Sequence, residues 1–332
     1  MKNLAIIGGG SWGTALANVL APRFPRVALW VYETDLAARM SDTRENDVYL
    51  PGIQLPNHVV VTRDLATALD GAQVVLSVMP SHLARGIYQQ MLPFLNESMV
   101  FVSATKGLEN GTLLRISEVI QEVLHASFDA RVAVISGPTF AKEVACFEPT
   151  ALVVAAPDEV LPSAIQAAFS GPSFRLYTST DPIGVEIGGS IKNVVAIGSG
   201  VLNGMGLGHN VTAALITRGL AEMNRLALAM GGKPQTLAGL AGLGDLVLTC
   251  TGDLSRNRAV GVALAHGRKL DEIVSSMKMV AEGIKTTNAA VDLAKRYGVE
   301  MPISEQMFQM LHFGVSPREA IQRLMERSLK GE

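Results

Sequence analysis

Short apolar runs alternate with stretches of helical periodicity over the first 180 residues of the chain. Several of the runs are apolar throughout, which is the pattern of strands that are covered on both faces of a mainly parallel sheet. The predicted strands are residues 4–7, 26–32, 59–61, 73–79, 99–104, 131–135, 151–156 and 174–179. The alternation of such strands with helical stretches predicts an α/β domain built around a doubly wound sheet.

The pattern changes near residue 181. From there on, apolar residues recur at helical spacing, and the predicted helices are residues 182–202, 210–230, 255–266, 281–297, 302–313 and 316–329. Asn210 and Ser255 stand where two of these helices would begin, and their short polar side chains suit N-caps. Four glycines stand where helices would end, namely Gly231, Gly267, Gly298 and Gly314. We therefore predict two domains, residues 1–181 and an all-helical domain of residues 182–332.

Composition narrows the partners and the compartment. The 332 residues are 48% hydrophobic and carry a formal net charge of -2, which gives no positive field to attract nucleic acid or an anionic membrane surface. Two distant cysteines, Cys146 and Cys250, and six scattered histidines offer neither a disulfide framework nor the spacing of a metal site. We expect a cytoplasmic protein that uses no metal ion and binds no nucleic acid.

The N-terminal stretch MKNLAIIGGGSWGTALANVL places a lysine before an apolar run, as a secretory signal does. Its cluster of glycines would break an apolar helix, however, and suits a tight turn after a strand. No other stretch reaches the roughly 18 uninterrupted apolar residues that a membrane span requires. We expect the chain to be neither exported nor inserted into a membrane.

The same glycines form the first chemical motif. Gly8, Gly10 and Gly13 make the pattern G-x-G-x-x-G between a predicted strand and a predicted helix. In that setting Gly8 permits the tight turn, Gly10 lets the backbone approach a pyrophosphate, and Gly13 lets the helix pack close to the strand. The dipole and N–H groups at the helix start favour the phosphates. Because the pattern also occurs in plain turns, the flanking strand and helix carry the prediction of a Rossmann-like, dinucleotide-binding domain.

The end of the second predicted strand bears on which dinucleotide binds. Glu33 follows the motif by about the distance at which an acidic residue meets the adenine ribose. A carboxylate there accepts hydrogen bonds from the ribose hydroxyls of NAD and repels the 2′-phosphate of NADP. We therefore expect NAD(P) as the cofactor, with NAD favoured. The alternative is a solvated glutamate at a strand end that takes no part in binding.

Two further loops leave the carboxyl ends of predicted strands, where open α/β sheets bind ligands. The stretch SATKGLE places Lys106 directly after a strand, and ISGPTFAKE brings Gly137, Thr139 and Ala141 towards the same edge. Each loop alone is typical of an ordinary strand-to-helix connection. Their shared edge makes them candidates for ligand binding.

A lysine lies in the middle of a helix of small and apolar residues. In EIGGSIKNVVAIGSG, Lys192 has Gly188 and Gly189 one turn before it and Val195 and Ala196 one turn after it. Burial among such neighbours disfavours the ammonium and lowers the pKa, as a lysine that accepts a proton near neutral pH requires. The alternative is that the amine reaches the surface at a bend in the chain.

A second group of polar residues in the helical part suits an anion. With Ser255 as the N-cap, Arg256 and Asn257 occupy a first helical turn, where N–H groups and the dipole attract a phosphate. The planar guanidinium of Arg256 adds parallel donors that match a phosphate. Asp245, within GLGDLVL, suits a hydrogen bond to a substrate hydroxyl or to a lysine, or else a helix cap.

These blocks together resemble the NAD(P)-dependent glycerol-3-phosphate dehydrogenases. The resemblance covers nearly the whole chain, through GGGSWGTALA, ATKGLE, ISGPTFAKE, GGSIKNVVAIGSG, ALITRGLAEM, GLGDLVLTCTGDLSRNR and VAEG. It implies reversible hydride transfer between sn-glycerol 3-phosphate and NAD(P), which yields dihydroxyacetone phosphate and in reverse supplies phospholipid synthesis. It also implies that Lys192 is the general base. The implied substrate contacts are Lys106, Gly137, Thr139, Lys192, Asp245, Ser255, Arg256 and Asn257, and the implied cofactor contacts include Ser11, Trp12, Lys106, Ala141, Arg256, Val280 and Glu282.

One block departs from the bacterial members of that family. Those members often carry a basic or neutral residue after the second strand and use NADPH, whereas WVYETD places Tyr32 and Glu33 there, with Tyr32 expected beside the adenosine. The departure agrees with a preference for NAD. Two other functions stay open, a related 3-hydroxyacid dehydrogenase, which would need an anchor for a carboxylate, and a non-catalytic NAD-dependent sensor. The glycine-rich helices and the apolar composition also allow a homodimer.

Overall fold

The structure is a computed structural model, and it describes residues 1–277, 281–329 and 331. The strands of this described part all precede residue 180. They are β1 (Asn3–Ile7), β2 (Arg26–Trp30), β3 (Glu45–Asn46), β4 (Leu50–Gln54), β5 (Val59–Thr62), β6 (Val74–Ser77), β7 (Val100–Ser103), β8 (Arg131–Ser136), β9 (Thr150–Ala155) and β10 (Phe174–Ser179).

Within the described residues, eight strands form one sheet in the order β10-β9-β8-β7-β6-β1-β2-β5. The strands from β8 to β5 run parallel, whereas β9 is antiparallel to β8 and β10 runs parallel to β9. Buried apolar side chains cover both faces of the sheet, as the continuous apolar runs predict. The predicted mainly parallel, doubly wound sheet is confirmed.

Helices connect these strands on both faces of the sheet. They are α1 (Ser11–Leu20), α2 (Thr34–Thr43), α3 (Leu65–Leu69), α4 (Ala84–Met91), α5 (Ile116–His125), α6 (Ala141–Ala145) and α7 (Val160–Phe169). Because β1, β2, β6, β7 and β8 run parallel, the loops that follow these five strands meet at one edge of the sheet. We call this edge the carboxyl edge.

A short hairpin of β3 and β4 lies outside the main sheet and was not predicted. The two strands pair antiparallel, with Asn46 opposite Leu50. Asn46 is fully buried at 0% exposure, and Leu50 is also buried. The hairpin therefore packs against the α/β core although its sequence shows little apolar alternation.

The described part of the chain after residue 181 is helical. Its α-helices are α8 (Pro182–Gly204), α9 (His209–Ala229), α10 (Pro234–Ala238), α11 (Asp245–Thr251), α12 (Arg256–Ala265), α13 (Leu270–Ser276), α14 (Glu282–Tyr297), α15 (Pro302–Phe313) and α16 (Pro317–Met325), with a π-helical turn at Leu240–Gly244. The six predicted helices are present. The short helices α10, α11 and α13 and the π-helical turn were not predicted.

The predicted helix boundaries are partly right. Ser255 is the N-cap of α12, and its Oγ accepts a hydrogen bond from the Arg258 N–H at 3.3 Å. The prediction that Asn210 caps a helix is wrong, because α9 begins one residue earlier with Gly208 as its N-cap. All four predicted stop glycines have positive φ just after a helix, the region that glycine adopts readily: Gly231, Gly267, Gly298 and Gly314.

Helix α8 is the centre of the helical domain. It packs against α9, α11, α12 and α14, and its residues from Gly184 to Leu202 are all buried. Of the described helices, it is also the one that is long and apolar enough to cross a membrane, but its apolar window of 18 residues is fully buried inside the protein. Burial in the core accounts for its apolar composition.

Candidate active site

The glycine turn after β1 has the shape that a pyrophosphate requires. Gly8 has a φ of +129°, and a Cβ there would lie 2.4 Å from the Val78 carbonyl oxygen. A Cβ on Gly13 would lie 1.8 Å from the Gly8 carbonyl oxygen, so α1 starts in close contact with the turn. Among the described residues, no atom lies within 4 Å of a Cβ built on Gly10, and no side chain caps α1 at Ser11. The residues present therefore fit a dinucleotide, with space and helical N–H groups for its phosphates.

The expected adenosine end lies beside this turn. The Gly8 N–H donates a hydrogen bond to the Trp30 carbonyl at the end of β2, at 3.1 Å. Tyr32 follows, 62% exposed, with its ring 6.0 Å from that of Trp30. Glu33 is exposed at the N-cap position of α2, and its Oε1 accepts a hydrogen bond from the Tyr49 hydroxyl at 2.7 Å. Both predicted residues stand at the carboxyl edge.

The two predicted binding loops after β7 and β8 meet. The Lys106 amine donates to the Gly137 carbonyl at 3.1 Å and to Thr139 Oγ1 at 3.4 Å. Ala141 is the first residue of α6, and α6 packs against α1, whose second residue is Trp12. The expectation that these loops share an edge is confirmed.

Lys192 brings the helical domain to the same edge. Its side chain lies on buried α8 and is 4% exposed, so the alternative in which the amine reaches solvent is wrong. A Cβ on Gly189 would lie 2.6 Å from Ser136 Oγ at the end of β8, which shows how closely α8 approaches the sheet. The Lys192 amine donates hydrogen bonds to Asp245 Oδ1 and, at 2.9 Å, to Thr249 Oγ1.

Asp245 joins the two lysines. It is fully buried at the start of α11, and its Oδ2 accepts a hydrogen bond from the Lys106 amine at 2.8 Å while Oδ1 accepts from Lys192. Gly244 holds the N-cap position of α11, so Asp245 does not serve as the cap. Thr249 was not predicted from the sequence, although its i, i+4 spacing from Asp245 places both side chains on one face of a helix.

The surroundings of Lys192 tune its proton affinity. Burial removes water from the ammonium and lowers the pKa of Lys192 to about 7; the Asp245 carboxylate raises it, and the charge of Lys106 lowers it further. A group with such a pKa holds its proton about half of the time near neutral pH. The geometry therefore suits an amine that both accepts and donates protons.

The residues of the predicted anion site lie at the start of α12. Arg256 is the first residue of this helix and is exposed to solvent. The buried side chain of Asn257 donates to Asn193 Oδ1 at 2.9 Å and accepts from the Gly283 N–H at 3.0 Å. These two bonds hold α12 against α8 and α14, so Asn257 also has a structural role that its sequence position did not show.

Glu282 connects α14 to the sheet edge. Its Oε2 accepts a hydrogen bond from the hydroxyl of Ser81, in the loop after β6, at 3.0 Å. Burial raises the pKa of Glu282, while the Ser81 hydroxyl and the charges of Lys285 and Arg256 oppose that rise. The neighbouring predicted contact, Val280, lies outside the described residues.

Comparison with known proteins decides among the open functions. The family models named NAD-dependent glycerol-3-phosphate dehydrogenase N-terminus and C-terminus match residues 3–161 and 181–322. A protein named glycerol-3-phosphate dehydrogenase (NAD(P)+) from Koribacter versatilis is 56% identical over 329 residues, which cover 98% of each chain. The chain belongs to the NAD-dependent glycerol-3-phosphate dehydrogenase family. A second relative with that protein name, from Citrifermentans bemidjiense, is 53% identical over all of this chain and 99% of its own.

Solved structures of the glycerol-3-phosphate dehydrogenase family agree. The enzyme from Coxiella burnetii superposes with a TM-score of 0.94 at 41% identity, over 98% of this chain and 99% of that one. The enzyme from Saccharomyces cerevisiae gives a TM-score of 0.83 at 26% identity, over 98% and 99%. A ketopantoate reductase from Ralstonia eutropha, at 16% identity and a TM-score of 0.59, shares the fold alone.

The family match makes the chain an NAD(P)-dependent oxidoreductase, as predicted. The structure brings Lys106, Thr139, Lys192 and Asp245 into one hydrogen-bonded cluster. Thr249 completes that cluster, and it was the main residue of the cluster that was not predicted from the sequence.

Proposed function

We propose that this chain catalyses reversible hydride transfer between C2 of sn-glycerol 3-phosphate and NAD(P), with Lys192 as the general acid and base. The observation that carries the proposal is the buried Lys192 amine, which shares the Asp245 carboxylate with Lys106 at the same carboxyl edge of the sheet as the glycine turn. The relatives' printed name supplies the substrate and the cofactor class. When bound, the nicotinamide would supply the hydride acceptor in oxidation and the hydride donor in reduction.

Lys192 moves the proton. In oxidation its neutral amine accepts the proton of the C2 hydroxyl, and in reduction its ammonium returns a proton to the carbonyl oxygen of dihydroxyacetone phosphate. A pKa of about 7 makes both forms available near neutral pH. The Asp245 and Thr249 oxygens hold the amine in place while it exchanges that proton.

Other residues hold the substrate. Arg256 and the N–H groups of the first turn of α12, which Ser255 caps, would bind the phosphate, with Asn257 keeping this turn against α8. Lys106 donates to Oδ2 of Asp245, the carboxylate oxygen that Lys192 does not use, and to Thr139. Lys106 and Thr139 would hold the substrate hydroxyls or the developing oxyanion. The phosphate and the reacting carbon would then be held by separate groups, the start of α12 and the Lys106–Thr139 pair.

Glu33 favours NAD over NADP in this proposal, because its carboxylate accepts from ribose hydroxyls and repels a 2′-phosphate. Its exposed place after β2, next to Tyr32 and the glycine turn, supports this role. The proposed setting is the cytoplasm, where the reaction in the reductive direction would supply glycerol 3-phosphate to phospholipid synthesis. A homodimer remains a prediction from the sequence.

Initial rates of dihydroxyacetone phosphate reduction with NADH and with NADPH test this function. The proposal expects turnover of this substrate with NADH favoured, and in the oxidative direction a far slower reaction of 3-hydroxyisobutyrate or 6-phosphogluconate than of sn-glycerol 3-phosphate. Lys192→Ala should lower kcat by about a hundred- to ten-thousand-fold, whereas Lys295→Ala, at an exposed site on α14, should not change it. Near-normal turnover in Lys192→Ala would contradict the proposed proton transfer.

A further inference from the structure

The hairpin of β3 and β4 carries a side chain that reaches the ribose end of the cofactor site. We propose that Tyr49 is a positioning residue that holds the Glu33 carboxylate towards the ribose and thereby strengthens discrimination against NADP. The inference rests on the proposed role of Glu33 and adds to it the residue that makes the role effective. No sequence pattern singled out Tyr49.

The contact between the two side chains is direct. The Tyr49 hydroxyl donates to Glu33 Oε1 at 2.7 Å, which leaves Oε2 for other partners. Burial and the Glu33 carboxylate raise the pKa of Tyr49 to about 12. The phenol therefore remains a hydrogen-bond donor at every pH at which the enzyme would be assayed.

Backbone contacts fix both ends of this pair. The Glu33 carbonyl accepts the Ala37 N–H at 2.9 Å in the first turn of α2, so the remaining freedom of Glu33 is in its side chain. On the hairpin, buried Asn46 accepts the Tyr49 N–H at 2.9 Å and donates to the Gly9 carbonyl at 2.8 Å. The glycine turn, the hairpin and Glu33 thus form one continuous set of hydrogen bonds.

The half-buried Tyr49 ring adds to this rigidity, since it packs against the core of the α/β domain. An exposed glutamate without such a partner would turn into solvent at little cost and leave room for a 2′-phosphate. With Tyr49 in place, that rotation breaks a hydrogen bond to a charged acceptor. The Tyr49–Glu33 hydrogen bond therefore lowers the affinity for NADPH more than the affinity for NADH. A purely structural tyrosine would affect both affinities alike.

The test is a double-mutant cycle read by cofactor binding without substrate, so it does not depend on dehydrogenase activity. The dissociation constants of NADH and NADPH are measured by fluorescence titration for wild type, Tyr49→Phe, Glu33→Ala and the double variant. Tyr49→Phe should raise the affinity for NADPH relative to NADH by about 3- to 10-fold. In the Glu33→Ala background the same substitution should leave that ratio unchanged. Tyr297→Phe, which removes a hydroxyl from an exposed site at the end of α14, is the matched control.

An unchanged NADPH-to-NADH affinity ratio in Tyr49→Phe would overturn the inference, as would an equal change of ratio with and without Glu33. Equal weakening of both cofactors would also overturn it, because that result indicates support of the fold alone. Failure of the underlying proposal gives a different result: wild type that binds NADPH more tightly than NADH would show that Glu33 does not select NAD.

Discussion

Replacing Asp245 by asparagine removes a negative charge that two lysines share. The substitution keeps the shape of the side chain and an oxygen that can accept from Lys192. It leaves Lys106 and Lys192 close together without the carboxylate that now binds both. Loss of that charge disfavours the Lys192 ammonium, so its pKa should fall below the present value of about 7.

The size of the expected fall in the pKa of Lys192 follows from its contact with the Asp245 carboxylate. A carboxylate within a few ångströms of a cation typically shifts a pKa by about 1 to 3 pH units, so the variant lysine should titrate between about 4 and 6. At pH 7 the ammonium fraction then drops from about one half to between about one tenth and one thousandth. If reduction uses the ammonium, its rate at pH 7 should fall by about 5- to 500-fold.

The assay is the pH dependence of kcat/KM for dihydroxyacetone phosphate reduction, which reports the ionisation of the substrate-free enzyme. In wild type the rate should decline as pH rises through about 7, and in Asp245→Asn the decline should begin at lower pH. Asp245→Glu, which keeps the charge, should retain a decline near the wild-type position, and Asp292→Asn, exposed on α14, should match wild type. Thermal unfolding checks that the variants fold, because breaking a buried ion pair can cost about 3 to 5 kcal/mol. A decline in Asp245→Asn at or above the wild-type pH would refute the reasoning.

Three further changes test the fold and the two ends of the site. Gly13→Ala should abolish cofactor binding in fluorescence titrations and lower thermal stability, because its Cβ would lie 1.8 Å from the Gly8 carbonyl oxygen. Burial is the main reason that the pKa of Glu222 is raised to about 7. Its contribution to the free energy of unfolding is therefore complete below about pH 4.5 and falls by up to roughly 3 kcal/mol by pH 7. Glu222→Gln should flatten this pH dependence of stability in urea unfolding. Arg256→Ala should raise KM for dihydroxyacetone phosphate by about 10- to 150-fold through the loss of a charge-assisted phosphate contact.

Controls separate these effects from general damage. Gly86→Ala, on α4, places its Cβ in open space among the described residues and should leave cofactor binding intact. A loss of unfolding free energy between pH 5 and 8 that is as large in Glu222→Gln as in wild type would show that another group causes it. If Arg256→Ala lowers kcat while KM stays constant, the arginine does not serve mainly to bind phosphate.

Much of the fold follows from the periodicity of the sequence. All eight strands of the main sheet were predicted, because continuous apolar runs that end at turns leave few alternatives. The antiparallel direction of β9 was not predictable, since it depends on how β9 pairs with β8, which the local sequence does not encode. The hairpin was missed because LPGIQ contains a proline and a glycine that are typical of a turn. The π-helical turn in LAGLG forms through packing against α8 and α9, against the low helix propensity of glycine.

The candidate site was predictable only where it depends on local sequence. The environment of Lys192 follows from its own helix, since Gly188 and Gly189 allow a close approach that buries the amine. Asp245 was predicted as a candidate from the sequence. Its pairing with both lysines was not predictable, because it depends on contacts between segments that are distant in the chain. Thr249 lies within a block that carries the family resemblance, but neither it nor Tyr49 was singled out, and only the tertiary arrangement of α11 and of the hairpin shows what they contact.

Lys192 exchanges the substrate proton in the proposed mechanism, and the pH dependence of kcat/KM for sn-glycerol 3-phosphate oxidation tests that role. In the wild type, kcat/KM should rise with pH through about 7, as the Lys192 amine loses its proton. In Lys192→Ala that rise should vanish, and turnover should fall by about a hundred- to ten-thousand-fold. If Lys192→Ala keeps both the rise with pH and most of the turnover, a group other than Lys192 exchanges the substrate proton.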